Sequence, residues 1–249
     1  MVRRNIVITG ASSGLGEEMA RQFAAKGRNL ALCARRTEKL EKLRDELLAK
    51  HSGIEILIKP LDVNDHDAVF TVFRAFRDEL GTIDRVIVNA GLGKGQPLGT
   101  GYFYANKATA ETNFVAALAQ CEAAMEIFRE QKAGHLVVIS SMSAYRNLGK
   151  NTTTYAATKA GVSALAEGIR ADTAGTPIRV STILPGYIRS EMNEKVKNTP
   201  LIVDTVKGVT SMVSAIEKER ATADCPSWPW TVIGFAMRNL PLGIVKKLS

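Results

Sequence analysis

Cysteine, histidine and long apolar runs are all scarce in this sequence of 249 residues. The three cysteines, Cys33, Cys121 and Cys225, are far apart and form no CxxC pair, which argues against a disulfide framework and against a zinc site. No apolar run approaches the roughly 20 residues of a membrane-spanning helix. No apolar signal region follows Met1. These absences predict a cytoplasmic protein without a metal site.

Clusters of basic residues are also lacking, although the chain as a whole is basic. Lys and Arg number 33 against 25 Asp and Glu, which gives a formal net charge of +8 and a pI near 9.5. The basic residues are scattered and are not interleaved with aromatic residues, as a single-strand nucleic acid site requires. The composition therefore argues against nucleic acid binding and favours a phosphate-bearing cofactor or an anionic membrane surface.

Short β-branched runs alternate with segments of helical periodicity, which is the pattern of βαβ units on a parallel sheet. Six strands are predicted at residues 5–9, 29–34, 54–60, 85–89, 135–140 and 178–184, with a weaker seventh at 221–225. Apolar residues spaced by three and four predict helices over the sheet faces. The sequence thus predicts a single α/β, Rossmann-like, doubly wound parallel sheet of six or seven strands with helices on both faces.

Two later predicted helices, at about 104–132 and 153–174, are rich in alanine and apolar on more than one face. Such helices can pack against a second subunit, so a homodimer or homotetramer is predicted. No internal repeat or Pro/Gly linker marks a domain boundary. Residues 1–225 are therefore assigned to one dinucleotide-binding and catalytic domain, and residues 226–249 to a tail that belongs to the same domain or forms an interface.

A glycine-rich turn separates the first predicted strand from the first helix, with the spacing G-x-x-x-G-x-G. A tight turn needs residues without Cβ, and a helix N-terminus offers free N–H groups and a positive dipole end to a pyrophosphate. Ligands of such sheets bind at this carboxyl edge. The pattern predicts a dinucleotide site that includes Gly10, Ser12, Ser13, Gly14, Leu15 and Gly16.

The same stretch also reads G-x-S-x-G through Ser12, the pattern of a serine hydrolase nucleophile. The context argues against this alternative, because a nucleophile elbow normally follows a strand deep in the chain and needs a histidine after the acid. Here the motif ends the first strand, and only His51, His66 and His135 exist.

The second predicted strand ends in Ala34-Arg35-Arg36, at the place where an NAD enzyme carries an acid for the adenosine ribose. No acid is present there. The guanidinium groups of Arg35 and Arg36 suit a 2′-phosphate, and the Ser13 hydroxyl is near enough in the loop to assist. The sequence therefore predicts NADP(H) as the cofactor. The alternative is that both arginines simply begin a solvated helix.

Tyr155 and Lys159 lie one helical turn apart on the same predicted helix face. A phenol with a pKa near 10 is a poor acid at neutral pH, and a nearby desolvated cation lowers that pKa. Ser141 follows the fifth predicted strand at the edge that carries the glycine loop, where its hydroxyl can bind a substrate oxygen. Ser143 is the alternative hydroxyl donor.

With Thr9 to Gly16, Asn89-Ala90-Gly91, Asn113, Ser141, Tyr155 and Lys159 in this order, the sequence resembles the classical short-chain dehydrogenase/reductase family. Two details depart from the family pattern. Ser141 precedes Tyr155 by 14 positions where 13 is usual, so the intervening loop has an extra residue. Ser190 replaces the usual threonine after Pro185-Gly186 and keeps a hydroxyl.

The resemblance implies a role for each matching residue. Tyr155 would be the general acid or base, Lys159 would tune it and bind the nicotinamide ribose, and Ser141 would orient the carbonyl. Asn113 would hold a relay water. The resemblance also implies three groups of cofactor contacts: Asp62 and Val63 at the adenine, Asn89, Ala90 and Gly91 beneath the cofactor, and Pro185, Gly186, Ile188 and Ser190 over the nicotinamide.

The predicted function is hydride transfer between NADP(H) and a carbonyl or secondary alcohol, with a ketone reductase for apolar or lipid-like substrates as the most specific form. A non-enzymatic NADP-binding or scaffold protein on the same fold is the remaining alternative. Residues 92–112 and 190–215 are predicted to form substrate loops above the sheet edge.

The tail from Trp228 to Met237 is apolar and is followed by Arg238, Lys246 and Lys247. Tryptophan with basic flanks suits a peripheral position on a membrane surface. The preferred interpretation is that the tail packs on its own domain or on a dimer partner.

Overall fold

The computed structural model describes residues 2–93, 95–147, 149, 151–191 and 201–247. Seven parallel strands form one sheet in the order β3-β2-β1-β4-β5-β6-β7. The strands are β1 Asn5–Thr9, β2 Asn29–Ala34, β3 Ile56–Pro60, β4 Arg85–Val88, β5 Gly134–Ile139, β6 Ile178–Pro185 and β7 Thr222–Cys225. The predicted sheet is confirmed, including the weak seventh strand. The third strand begins two residues later than predicted, at Ile56 instead of Ile54.

Helices cover both faces of the sheet. They are α1 Gly14–Ala24, α2 Thr37–Lys50, α3 His66–Leu80, α4 Phe103–Ala110, α5 Ala116–Gln131, α6 Thr153–Asp172, α7 Thr205–Glu217, α8 Ser227–Asn239 and α9 Leu242–Lys247. Alternate strand residues point to opposite faces. Ile6 and Ile8 of β1 therefore pack with α1, α2 and α7, whereas Val7 packs with α3, α5 and α6. None of the helices in these ranges combines the length and hydropathy needed to cross a bilayer.

The helix predicted at about 104–132 is present from Phe103 to Gln131, but it is not a regular α-helix throughout. A π-helical turn, Glu111–Val115, separates α4 from α5. Such a turn inserts one residue into an α-helix and often occurs at a functional site. Asn113 lies in this turn, so the irregularity sets the direction of a predicted site residue.

The prediction that residues 92–112 and 190–215 are loops was wrong in part. The first range contains the whole of α4, and α7 begins at Thr205. Helix α7 begins at Thr205 because the side chain of Asp204 caps it by accepting a hydrogen bond from the Lys207 N–H. Residues 192–200 of the second loop lie outside the described part of the chain.

One face of the tail packs on the domain. Trp230 and Met237 of α8 are buried, and Trp230 packs with Met142 and Leu184. The opposite face is exposed, with Trp228, Val232 and Phe235 more than half accessible to solvent. The tail is therefore a helix laid on the domain that retains an apolar outer surface.

Candidate active site

The glycine loop connects β1 to α1 at the carboxyl edge of the sheet. Gly10 and Gly14 have φ values of +64° and +57°, a region that residues with a Cβ rarely adopt. A Cβ on Gly10 would lie 2.9 Å from the Cα of Ala90, and a Cβ on Gly16 would overlap the carbonyl oxygen of Gly10. The loop is therefore tightly packed, and Ser13 at the N-cap of α1 makes no side-chain capping hydrogen bond.

Asn89 ties the loop to β4. Its Nδ2 donates to the carbonyl oxygen of Thr9 at 2.9 Å, while its backbone N–H and that of Ala90 donate to the Thr9 hydroxyl at 3.0 and 3.1 Å. This is the point where the strand order reverses between β1 and β4, the usual ligand crevice of doubly wound sheets. Gly91 continues this edge towards Asn113, whose Oδ1 lies 3.2 Å from the place a Cβ would take on Gly91.

Arg36 is anchored to the glycine loop. Its Nε donates to the Ser12 hydroxyl at 3.2 Å, and its Nη2 donates to the Ser13 hydroxyl at 2.6 Å. Arg35 is more exposed and lies 4.0 Å from Asp62 on the adjacent strand end. Val63, next to Asp62, is buried. The two arginines thus occupy the same sheet edge but have different partners.

An acid that the sequence did not single out lies against Arg36. The Glu191 carboxylate is 3.2 Å from Arg36 and 3.0 Å from the ammonium of Lys39. Lys39, with further hydrogen bonds from Ser13 and Arg36, lowers the pKa of Glu191 to about 2. Lys39 follows Arg36 by three residues, so helical spacing was the available signal for it. Arg36 and Lys39 thus hold the Glu191 carboxylate against the glycine loop.

Tyr155 and Ser141 meet where β5 ends. The backbone strand stops at Ile139, and a short 3₁₀ turn, Met142–Ala144, carries the chain away from the sheet. Burial raises the pKa of the Tyr155 phenol, and a hydrogen bond with the Ser141 side chain acts in the opposite direction. Ser141 in turn accepts a 3.0 Å hydrogen bond from the Ser143 hydroxyl. The three hydroxyl groups form one chain, with Ser141 in contact with the phenol.

Lys159 is 7% exposed and has no carboxylate within 4.0 Å in the described ranges. Its ammonium donates to the carbonyl oxygen of Ile139 at 2.8 Å and lies 5.8 Å from the centre of the Tyr155 ring. Burial lowers the pKa of Lys159 to about 8. The expected lowering of the Tyr155 pKa by Lys159 is not found, because burial raises this pKa and Lys159 is not among the groups that shift it.

Asn113 uses both ends of its side-chain amide to bond the backbone of Leu92, the residue after Gly91. Its Oδ1 accepts from the Leu92 N–H at 2.7 Å, and its Nδ2 donates to the Leu92 carbonyl oxygen at 2.8 Å. A Cβ on Gly91 would lie 3.7 Å from the Lys159 ammonium as well. The structure therefore brings Asn113, Gly91 and Lys159 together.

The loop after β6 lies over the same edge. A Cβ on Gly186 would overlap the Trp230 ring, and Ile188 is buried against Gly208 of α7. Tyr187 stacks edge-on with Trp230 at 5.5 Å and is close enough to influence Tyr155. Ser190 lies near the glycine loop, since a Cβ on Gly14 would be 3.4 Å from its Cβ. Tyr187 was missed because an isolated aromatic residue after Pro-Gly gives no chemical signal.

Fold and geometry together define an α/β protein with a nucleotide-type glycine loop next to a tyrosine, lysine and serine cluster. A family model described as short chain dehydrogenase matches residues 4–201. The chain belongs to the classical short-chain dehydrogenase/reductase family, whose members are oxidoreductases.

Individual relatives agree with this assignment. An uncharacterized oxidoreductase of Mycobacterium tuberculosis is 51% identical over 249 residues, which cover 100% of this chain and 98% of the relative. An uncharacterized oxidoreductase of Myxococcus xanthus is 34% identical, covering 92% of this chain and 89% of the relative. The crystal structure of levodione reductase superposes with a TM-score of 0.80 at 26% identity, covering 90% of this chain and 95% of that one.

Proposed function

We propose that the protein is an NADP(H)-dependent reductase that transfers a hydride to the carbonyl of an apolar ketone and catalyses the reverse reaction with the corresponding alcohol. The observation that carries the proposal is the buried Lys159 ammonium, held by the Ile139 carbonyl oxygen 5.8 Å from the centre of the Tyr155 ring, with Ser141 close to the phenol. A phenol, a hydroxyl and an ammonium at one sheet edge are the groups that proton transfer to a carbonyl oxygen requires.

When bound, the nicotinamide would supply or accept the hydride. In the reductive direction, the Tyr155 hydroxyl donates its proton to the carbonyl oxygen. Ser141 donates a hydrogen bond to the same oxygen and stabilises its developing negative charge. Ser141 is preferred to Ser143 because Ser141 contacts the phenol, whereas Ser143 donates to Ser141. Lys159, held by the Ile139 carbonyl, would bind the nicotinamide ribose and favour the phenolate that remains.

The glycine loop fits a dinucleotide, because its positive-φ glycines leave the N-terminus of α1 free for a pyrophosphate. Arg36, Lys39 and Ser13 interact with the Glu191 carboxylate, which supports the binding of a 2′-phosphate by the same three residues. Arg36, Lys39 and Ser13 would hold this phosphate in place of the Glu191 carboxylate. Arg35 and Asp62 would border the adenosine, and Asn113 would keep its predicted place in a proton relay.

Replacement of Tyr155 by phenylalanine tests the catalytic assignment. Without the phenol, the carbonyl oxygen has no proton donor, so NADPH-dependent turnover should fall below detection while NADPH affinity changes less than about threefold. A panel of ketones, aldehydes, β-ketoacyl thioesters, steroids and long-chain keto-lipids followed by NADPH absorbance provides the substrate. Ser163→Ala, at a hydroxyl further along α6, is a control that retains the phenol. Undiminished turnover in Tyr155→Phe would refute the mechanism.

The cofactor preference has its own test. Arg36→Ala should weaken NADPH binding by about tenfold or more and leave NADH binding almost unchanged, because charge-assisted hydrogen bonds to the phosphate are lost. The double replacement of Arg35 and Arg36 should have a larger effect. Isothermal titration calorimetry with both cofactors measures the difference. Equal losses for NADPH and NADH would contradict the assignment.

The two other classes of function make different predictions. A non-enzymatic NADP-binding protein would bind NADPH but show no turnover across the panel. A serine hydrolase would need a histidine hydrogen-bonded to the Ser12 hydroxyl. Within the described ranges, the Ser12 hydroxyl accepts a hydrogen bond from Arg36. The buried His135 is bonded instead to Arg85 and Ser181. Hydride transfer is the function that the cluster around Tyr155 supports.

For location and assembly we propose a cytoplasmic homo-oligomer whose exposed α8 face makes peripheral contact with an anionic membrane. The support is the apolar surface formed by Trp228, Val232 and Phe235 in a tail without acidic residues. Flotation with anionic vesicles should carry the protein upward, and a Trp228→Ala/Phe235→Ala variant should remain at the bottom. Light scattering measures the number of subunits. Equal flotation of both proteins would refute the membrane contact.

A further inference from the structure

Helix α8 forms a wall along the substrate side of the candidate active site. At its start, the Trp230 ring fills the space that a Cβ on Gly186 would need. One turn later, a Cβ on Gly234 would lie 2.9 Å from both Met142 and Tyr145, which follow Ser141 in the chain. The helix therefore runs from the loop after β6 to the serine loop, and its far end lies beside Tyr145.

Arg238 stands at that far end. Its guanidinium stacks on the Tyr145 ring, 4.1 Å from the ring centre, and its Nε donates to the Gly234 carbonyl oxygen at 3.3 Å. Arg146 approaches the same point, with its Nη2 donating to the Arg238 carbonyl oxygen at 3.4 Å. Stacking on an aromatic ring and a bond to the helix fix the orientation of the Arg238 side chain, and among the described residues its two terminal nitrogens donate no hydrogen bond.

These two guanidinium groups lack acidic partners in the described part of the chain, where neither takes part in a salt bridge. Asp224, on the neighbouring β7, accepts a 2.8 Å hydrogen bond from the Tyr145 hydroxyl. No Asp or Glu follows Asp224 in the sequence. By contrast, Arg36 and Arg21 are bound by glutamates. The end of α8 is therefore a positively charged site next to an apolar wall.

We propose that Arg238, assisted by Arg146, binds an acidic group of the carbonyl substrate, so that the substrate is an amphipathic ketone with a carboxylate or phosphate at one end. Its apolar body would lie along α8 towards the loop after β6. Eight residues separate Trp230 from Arg238, which corresponds to about 12 Å along a helix. This spacing sets the distance between the nicotinamide end of the site and the acidic group. The substrate class rests on the proposed reductase function.

Binding of matched ligands tests the site without requiring turnover. The NADP-loaded full-length protein is titrated by calorimetry with octanoate, octyl phosphate and 1-octanol, which share an alkyl chain and differ in the head group. Both anions should bind about tenfold more tightly than the alcohol, because they gain charge-assisted hydrogen bonds. Comparison of the two anions distinguishes a carboxylate from a phosphate site.

The variants assign the effect to one side chain. Arg238→Gln should lower the affinity for the preferred anion about tenfold and leave the affinity for 1-octanol unchanged. Arg146→Gln should lower the anion affinity about threefold. Arg238→Lys should retain most of the anion affinity because the charge remains. Arg179→Gln is the matched control, since Arg179 is exposed at the opposite end of β6. Thermal unfolding of each variant verifies that α8 remains folded.

Three results would overturn the proposal: equal affinity of the wild type for octanoate, octyl phosphate and 1-octanol, no detectable binding of either anion, or equal losses in Arg238→Gln and Arg179→Gln. The Tyr155→Phe test fails or succeeds independently, because it measures turnover and the calorimetry does not. A reductase without this anion site would show turnover with neutral ketones and no effect of Arg238→Gln on octanoate.

Discussion

Both edges of the parallel sheet carry buried cations: Lys159 lies at the carboxyl edge, and Arg85, with Arg3 beside it, lies at the amino edge. Arg85 is 1% exposed, and its three nitrogens are bonded to His135, Glu217 and the Ile216 carbonyl oxygen. Among the described residues, the Lys159 ammonium donates a hydrogen bond only to the Ile139 carbonyl oxygen, and it faces Tyr155. Arg85 at the amino edge is thus paired with an acid, whereas Lys159 at the carboxyl edge has no acidic partner among the described residues.

The difference shows how one sheet separates stability from chemistry. A buried charge with its own counterion fixes the packing around it, and removal of one partner leaves an uncompensated charge. A buried charge without a counterion has a perturbed pKa and is a candidate functional group. Consistent with this, burial lowers the pKa of Lys159 to about 8. Substitutions at the two edges should therefore have opposite consequences.

The largest effect is expected from Lys159→Met. Turnover should fall about thousandfold, because the group that tunes the proton donor is lost. The free energy of unfolding should stay within about 1 kcal/mol of wild type, since methionine fills the space without a buried charge. NADPH-dependent kinetics and urea denaturation measure the two quantities. A large loss of stability together with unchanged turnover would reverse the comparison.

Arg85→Met should give the converse result. We expect a loss of about 3 kcal/mol in the free energy of unfolding, because Glu217 and His135 lose a buried partner. Turnover per folded molecule should not change. Urea denaturation and active-site-normalised kinetics at a temperature where the variant is folded provide the test. If Arg85→Met impaired turnover as strongly as Lys159→Met, the amino edge would have a catalytic role.

The amino edge should also make the fold sensitive to acid. Burial, with Arg85 and Arg3 nearby, lowers the pKa of His135 well below its usual value, so the folded state favours neutral histidine. The contribution of neutral His135 to the free energy of unfolding is fully present above about pH 6.5, the pKa of histidine in the unfolded chain. It is lost as the pH falls towards the lower pKa of the folded state, with a slope of up to about 1.4 kcal/mol per pH unit.

Urea denaturation between pH 7.5 and 5 should therefore show a decreasing free energy of unfolding for the wild type. A His135→Asn variant should show a smaller slope, because its amide does not titrate. The pKa of Glu217 is lowered as well. Its contribution to stability is lost only as the pH falls below the pKa of an unfolded glutamate, and it persists in the variant. Identical slopes would exclude His135 as the source.

The smallest effect is expected at the Ser143 hydroxyl. Because Ser143 donates to Ser141 but does not contact the phenol in the described hydrogen bonds, Ser143→Ala should lower kcat by about threefold to tenfold through weaker positioning of Ser141. Ser141→Ala should lower it by about a hundredfold or more. Steady-state kinetics of both variants compares them. A larger effect from Ser143→Ala would make Ser143 the donor to the carbonyl.

Much of the carboxyl edge was predictable because its functional residues form motifs of neighbouring residues with fixed spacing. The glycine loop, the Tyr155-x-x-x-Lys159 pair and the alternation of strands and helices each depend on residues close in sequence. The contacts of Glu191 with Arg36, and the approach of α8 to the serine loop, join residues far apart in sequence. No short pattern encodes such contacts, so only the folded chain could reveal them.

The sequence by itself determined the sheet, the glycine turn and the residue types available for proton transfer, because periodicity and backbone conformational preference act locally. Tertiary structure decided three further features: the π-helical turn at Asn113, the choice of Ser141 as the hydroxyl in contact with Tyr155, and the placement of Arg238 beside Tyr145. Each depends on which elements pack together at the carboxyl edge, and packing is a property of the whole core.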